Sequence, residues 1–241
     1  MNIIITGASR GIGYETAKLL SQDHTVIAIS RSAEKNKLPG VISISFDFET
    51  GNVKNDLLPQ IKNHFQEVDV LINNSAAFVK KPFSEITPED FEKIFRVNVF
   101  AIAELTRMML ASPLSPLLSA GRRSPSDLAD KEKGAPTHVL NIVSMGGIQG
   151  SRKFPGLSAY SSSKGALITL TECLAEEYKN KNISFNAIAF GSVQTEMLEA
   201  AFPGFKAPLS AKEAAAFTAH FAINGNKYFN GKILQMALST P

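Results

Sequence analysis

Only one cysteine, Cys173, occurs among the 241 residues, so no disulfide can form within the chain. Its surroundings, "TLTECLAEEY", read as an amphipathic helix, and a buried structural thiol is expected there rather than a nucleophile. The four histidines, at 24, 64, 138 and 220, are too scattered for a ligand motif, and no metal is expected. No apolar run reaches the ~18 residues that a membrane span needs. A strand beginning at residue 3 leaves no room for a signal or transit peptide, so a cytoplasmic protein without a membrane partner is expected. Strong charge is missing too. The net value is +3, and the basic residues are spread out apart from short clusters such as Arg122-Arg123, which argues against a nucleic-acid partner. That balance still suits an anionic cofactor or substrate. No internal repeat is visible. The length, with 44% hydrophobic residues, fits one globular domain spanning 1–241.

What is present is alternation. Apolar runs at 2–7, 25–30, 41–47, 68–74, 137–144, 183–190 and 231–237 read as strands. Helical spacing marks 10–23, 53–67, 87–112, 158–181 and 210–224. Pro59 should kink the second helix or end it early. Thr87, with Pro88 after it and Asp90 three residues on, should cap the third, a long helix read either as straight or as bent. Strands alternating with helices predict an α/β fold, a doubly wound parallel sheet with helices on both faces. One stretch breaks the rhythm. Residues 113–136 carry four prolines, several serines and mixed charges, and read as a surface insertion.

Directly after the first strand comes "TGASRGIG", residues 6–13. Gly7 permits a tight turn, Gly11 lets a phosphate approach the backbone, and Gly13 allows close helix–strand packing. The free amides at the helix start suit a pyrophosphate. At the end of the second strand, a carboxylate would bind an adenosine 2′-hydroxyl and select NAD. Here Ser30 and Arg31 stand in that place, and Arg10 is poised to converge from the glycine turn. Two guanidinium groups suit a 2′-phosphate, so NADPH/NADP+ is the expected cofactor.

In "AYSSSKGALITL", Tyr160 and Lys164 fall one helical turn apart on one face. Alone, such a pair is usually a partly buried ring beside a surface lysine.

Together these pieces resemble the short-chain dehydrogenase/reductase family. "TGASRGIG", "DVLINN", "RVNVFA", "NIVS", "YSSSK" and "FNAIAFGSVQTEM" occur in family order over nearly the whole chain. Within the family, the pattern is most similar to 3-oxoacyl-[acyl-carrier-protein] reductase-like members. The resemblance implies a single-domain Rossmann fold and four catalytic positions: Asn98, Ser144, Tyr160 and Lys164. It implies cofactor contacts from the glycine turn (Gly7, Ser9, Arg10, Gly11, Ile12, Gly13) and from Arg31, Asp47, Asn74, Val193 and Thr195, as well as from Tyr160 and Lys164. It further implies a homodimer or homotetramer acting on a small carbonyl or alcohol substrate. In chemical terms, a lysine that stays cationic favours the phenolate and should pull Tyr160 down from a pKa near ~10 toward working pH. Ser144 would hydrogen-bond the carbonyl oxygen. Asn98 would hold a water linking Lys164 to solvent; on its own it reads equally as a satisfied polar residue. The alternative function is a catalytically silent NADP(H) sensor or scaffold.

The chain departs from the family pattern in places. "NNSA" (Ser75, Ala76) stands where Asn-Asn-Ala-Gly is usual, and Phe190-Gly191 where Pro-Gly is usual. "LQMALSTP" replaces the usual acidic-glycine ending, and Ser144 and Tyr160 stand 16 residues apart. After Thr195, the region that forms the family's substrate lid offers Met197, Leu198, Phe202 and Phe205, either an apolar closing surface or ordinary packing.

Overall fold

The computed structural model describes residues 1–33, 37–111 and 137–238. The segment 113–136, read above as an insertion, lies outside the described residues.

Seven strands form one parallel sheet in the order β3-β2-β1-β4-β5-β6-β9. They are β1 (Asn2–Thr6), β2 (Thr25–Ser30), β3 (Val41–Ser45), β4 (Val70–Asn73), β5 (Thr137–Ser144), β6 (Ile183–Phe190) and β9 (Ile233–Met236). β1 lies inside the sheet, in register with β2 on one side and β4 on the other. Strand order reverses between β1 and β4, which opens a crevice at their C-terminal ends.

Ile3, Ile4 and Ile5 are fully buried because both faces of the sheet are covered. Side chains alternate across a strand, so the isoleucines divide. Ile4 joins a core with Leu57, Ile61, Leu105 and Phe185. Ile3 and Ile5 join the opposite core with Ala17, Leu20, Ala214 and Phe221. Helices α1 (Gly11–Leu20) and α7 (Ala211–Asn224) pack together over that second face. The first face carries α2 (Leu58–Lys62), α3 (Pro88–Phe95), α4 (Ala101–Ala111) and α5 (Ser158–Glu177). Among the described residues, no helix is long and apolar enough to cross a membrane.

Two expected helices differ in detail. The one predicted over 53–67 begins as a π turn, Val53–Leu57, and ends at Lys62, with Pro59 in the first turn of α2. Proline is tolerated there because the missing N–H falls at a helix start. The one predicted over 87–112 starts with the capping box of Thr87 and Asp90. It widens into a π turn at Arg96–Phe100 before continuing as α4.

Cys173 is exposed, contrary to the sequence expectation. The buried stripe of α5 is Ala159, Ser163, Lys164, Leu167, Thr171 and Ala175. Small and polar residues occupy it, so hydrophobicity alone pointed to the wrong face.

Candidate active site

The glycine turn is pressed against the end of β4. Gly7 has φ 69° and donates its N–H to Ile29 O at 2.8 Å. A Cβ there would stand 2.8 Å from Ser75 Cα, and one at Gly13 would stand 2.5 Å from Gly7 O. Only glycine fits either position without displacing main chain. Thr6 Oγ1 accepts the N–H groups of Asn74 and Ser75, each at 3.0 Å. Asn74 Nδ2 donates to Thr6 O at 3.1 Å and Gly7 O at 3.0 Å, so its amide braces the turn.

Arg10 precedes α1 in extended conformation and makes no side-chain cap, which leaves the first helix amides without a side-chain acceptor from that position. They border a cleft of about 570 Å³ lined by residues that include Ser9, Arg10, Gly11, Gln194, Thr195 and Glu196. Ser9, Ser30 and Ser43 line a smaller recess between the turn and the β2–β3 edge. Arg10 and Arg31 are exposed on this side of the sheet. Asp47 follows β3, and its carboxylate accepts Glu49 N–H at 2.9 Å. Uncapped amides, glycines without steric room for a Cβ and flanking arginines fit a phosphorylated dinucleotide.

The second half of the site is built by β5 and α5. A Cβ on Gly147 would lie 2.8 Å from Gly165 N, so the chain leaving β5 packs directly on α5. This brings Ser144, at the end of β5, to Tyr160. The Ser144 hydroxyl accepts Gly146 N–H at 3.2 Å and stands beside the phenol. Burial pushes the Tyr160 pKa up to about 12, with the Ser144 hydroxyl pulling the other way. Lys164 is buried, at 2% exposure, and donates to Ile142 O at 2.9 Å. Its Nζ lies 5.9 Å from the Tyr160 ring centroid. Burial lowers its pKa to about 8.

Both directions run against the expectation of a lysine that stays cationic and a phenol drawn down toward neutrality. Desolvation penalises both charged forms and outweighs the pull of the Ser144 hydroxyl on the phenol.

Asn98, within the π turn, is fully buried. Its Oδ1 accepts Ala77 N–H at 2.8 Å, and its Nδ2 donates to Ala77 O and to Ser163 Oγ, each at 2.9 Å. Ser163 Oγ in turn donates to Tyr160 O at 2.7 Å. These bonds brace three segments around Tyr160. Ser163 was missed by the sequence reading because it looks like any member of the "SSS" run.

Beyond β6, β7 (Val193–Gln194) pairs with β8 (Leu209–Ser210), and α6 (Glu196–Ala201) lies between them. Thr195 caps α6 by accepting Leu198 N–H at 3.2 Å, and Val193 is buried. A Cβ on Gly11 would lie 3.4 Å from Thr195 Cγ2, so this segment leaves from above the glycine turn. Gly191, in the unusual Phe-Gly pair, has room for no Cβ, because Ala237 Cβ would be 2.7 Å away. Among the described residues, no cluster of histidine, cysteine or carboxylate side chains is placed to hold a metal.

The site brings the glycine turn, Ser144, Tyr160 and Lys164 to the same C-terminal edge of the sheet. Pig carbonyl reductase [NADPH] 2 is 28% identical over 203 residues, 82% of this chain and 73% of the relative. A short chain dehydrogenase from Shigella flexneri complexed with NADP superposes with TM-score 0.80 at 25% identity, covering 97% of this chain and 95% of the other. The 3-ketoacyl-(acyl-carrier-protein) reductase of Brucella melitensis, complexed with NADH, shares the fold with TM-score 0.78 at 23% identity, over 98% and 96% of the two chains. The sequence model described as short chain dehydrogenase matches residues 1–204. On that match and this architecture, the chain belongs to the short-chain dehydrogenase family of oxidoreductases.

Proposed function

We propose that the protein is an NADPH-dependent carbonyl reductase that converts a ketone or aldehyde to an alcohol, with Tyr160 as the proton donor. One observation carries this reading: the Tyr160 phenol stands beside Ser144, and one helical turn later a buried lysine places its Nζ 5.9 Å from the ring centroid. Such a phenol keeps its proton at neutral pH and can give it to an oxygen that is gaining negative charge.

When bound, the nicotinamide cofactor supplies the hydride. Gly7, Ser9, Gly11, Ile12 and Gly13 would hold its pyrophosphate, Asp47 and Asn74 would contact its adenine and nicotinamide ends, and Val193 and Thr195 would flank the nicotinamide. Ser144 positions the carbonyl oxygen by hydrogen bonding. Tyr160 passes its proton to that oxygen. Lys164, protonated below about pH 8, favours the phenolate left behind and would contact the cofactor ribose. Asn98 acts through the scaffold around Tyr160.

The choice of NADPH rests on Ser30, Arg31 and Arg10, which put guanidinium groups where a carboxylate would select NADH. Partly buried Met197, Leu198 and Phe202 favour a medium-sized apolar carbonyl. A homodimer or homotetramer and a cytoplasmic location belong to the same reading. The test is NADPH oxidation against a panel of ketones, aldehydes and diketones. NADPH binding without turnover of any of them would favour a silent sensor or scaffold instead.

A further inference from the structure

Residues 195–208 form a strap with its two ends pinned together. Val193 and Gln194 pair with Leu209 and Ser210, and Ala207 N–H donates to Gln194 Oε1 at 2.8 Å. That base sits above the glycine turn. The tip is held elsewhere. Ala201 O, at the end of α6, accepts Lys80 Nζ at 2.6 Å. The same ammonium lies 4.4 Å from the Phe202 ring centroid. Phe202 meets Phe154 edge-on at 5.3 Å, and Arg152 lies 5.6 Å over Phe154. The result is a continuous stack of cation, ring, ring and cation.

Lys80 belongs to the loop after β4, and its stem runs along Gly156. A Cβ at Gly156 would be 3.2 Å from Lys80 Cγ, and Lys81 N–H donates to Gly156 O at 3.1 Å. Residues 152–156 run almost directly into Tyr160. The strap thus crosses from the cofactor turn to the loop that delivers the proton donor, and one lysine joins its tip to that loop.

We infer that Lys80 is a positioning residue that latches the 195–208 strap over the substrate mouth. Its ammonium serves two partners on the strap at once, a helix-terminal carbonyl and a ring face. The strap base is held separately by β7 and β8, so breaking the latch frees the tip and leaves the cofactor end in place. The kinetic part of this inference rests on the proposed carbonyl reduction; the structural part does not.

Two variants of the full chain separate the latch from ordinary packing. Lys80→Met keeps the stem and removes the charge, and Lys80→Arg restores it. Hydrogen exchange in peptides covering 196–206 should be about fivefold faster or more in Lys80→Met, unchanged in α5 and β5, and near wild type in Lys80→Arg. KM for a reducible carbonyl compound should rise about fivefold with kcat within about twofold, and NADPH affinity should hold. Unchanged exchange in 196–206 overturns the latch, as does equal acceleration in α5. Faster exchange with an unchanged KM overturns the positioning role. If the unmodified protein reduces no carbonyl compound, the functional reading fails while the exchange measurement still decides the latch.

Discussion

Asn98 and Ser163 are joined by a hydrogen bond of 2.9 Å between two fully buried side chains, one in a π turn and one in α5. Ser163 then donates to the main-chain carbonyl of Tyr160 at 2.7 Å. The position of the phenol is therefore tied to the widened turn at Arg96–Phe100 and to the loop after β4. Replacing Asn98 by Ala strands the N–H and C=O of Ala77 and takes from the Ser163 hydroxyl the one donor it accepts from. Each buried unsatisfied group costs about 1–3 kcal/mol, so a loss of about 2–4 kcal/mol is expected. Urea denaturation measures it; an unfolding midpoint equal to wild type contradicts the bracing role.

Much of this was legible in the sequence. The isoleucine run of β1 and its glycine turn declare a central parallel strand feeding a helix, because few other arrangements bury three consecutive isoleucines beside so closed a turn. Tyr160 and Lys164 were visible by helical spacing. Their protonation was not, because it depends on desolvation by residues far away in sequence. The sheet of β7 and β8 was missed because two-residue strands carry no period. Cys173 was assigned to the wrong face because α5 packs Ser163, Lys164 and Thr171 inward. Lys80 gave no signal at all, since its partners lie at 156, 201 and 202.

Tyr160→Phe keeps the ring and removes the proton. Turnover should fall by roughly 10²–10⁴-fold. NADPH binding, followed by fluorescence titration, should stay nearly unchanged. Turnover within a factor of two of wild type removes Tyr160 from the mechanism.

Lys164 sets a pH limb. Its pKa is lowered to about 8, whereas Tyr160 stays protonated to about 12. As pH rises through 8, the cation that favours the phenolate is lost while the phenol still holds its proton. The kcat/KM for carbonyl reduction, which reports the free enzyme, should decline with an apparent pKa near 8. Lys164→Arg should move that limb upward by keeping the charge. A profile flat to pH 10 refutes the assignment.

Cofactor choice turns on Arg31. Arg31→Ala should weaken NADPH binding by about ten- to a hundredfold, the value of one charge-assisted contact, and spare NADH. Equal affinity for the two cofactors in the unmodified protein is the result that overturns this.

His138 makes stability depend on pH at the opposite end of β5. The ring is fully buried, with Nδ1 2.9 Å from Ala222 O and Nε2 3.1 Å from Asn186 Nδ2. A carbonyl only accepts, so Nδ1 carries the hydrogen, and Nε2 accepts from the amide. Asn186 also donates to Phe229 O at 2.9 Å and accepts Lys232 N–H at 3.0 Å, so the imidazole helps hold α7 and the entry to β9. Burial lowers its pKa from 6.5 to about 4. Above pH 6.5 neither folded nor unfolded chains protonate it, and it contributes no slope. Below that, the unfolded chain takes up a proton that the folded chain refuses, so stability falls as pH drops from 6.5 toward 4. The steepest slope is about 1.4 kcal/mol per pH unit, which gives a loss of roughly 1–2 kcal/mol between pH 6.5 and 5. Depressed carboxylates such as Asp90 add their own acid-side loss, so the measurement is a comparison. Urea denaturation at both pH values should show a smaller drop for His138→Gln, by about that amount, even though the variant starts less stable. Equal drops in the two proteins mean that the buried imidazole does not govern the acid side of the stability curve.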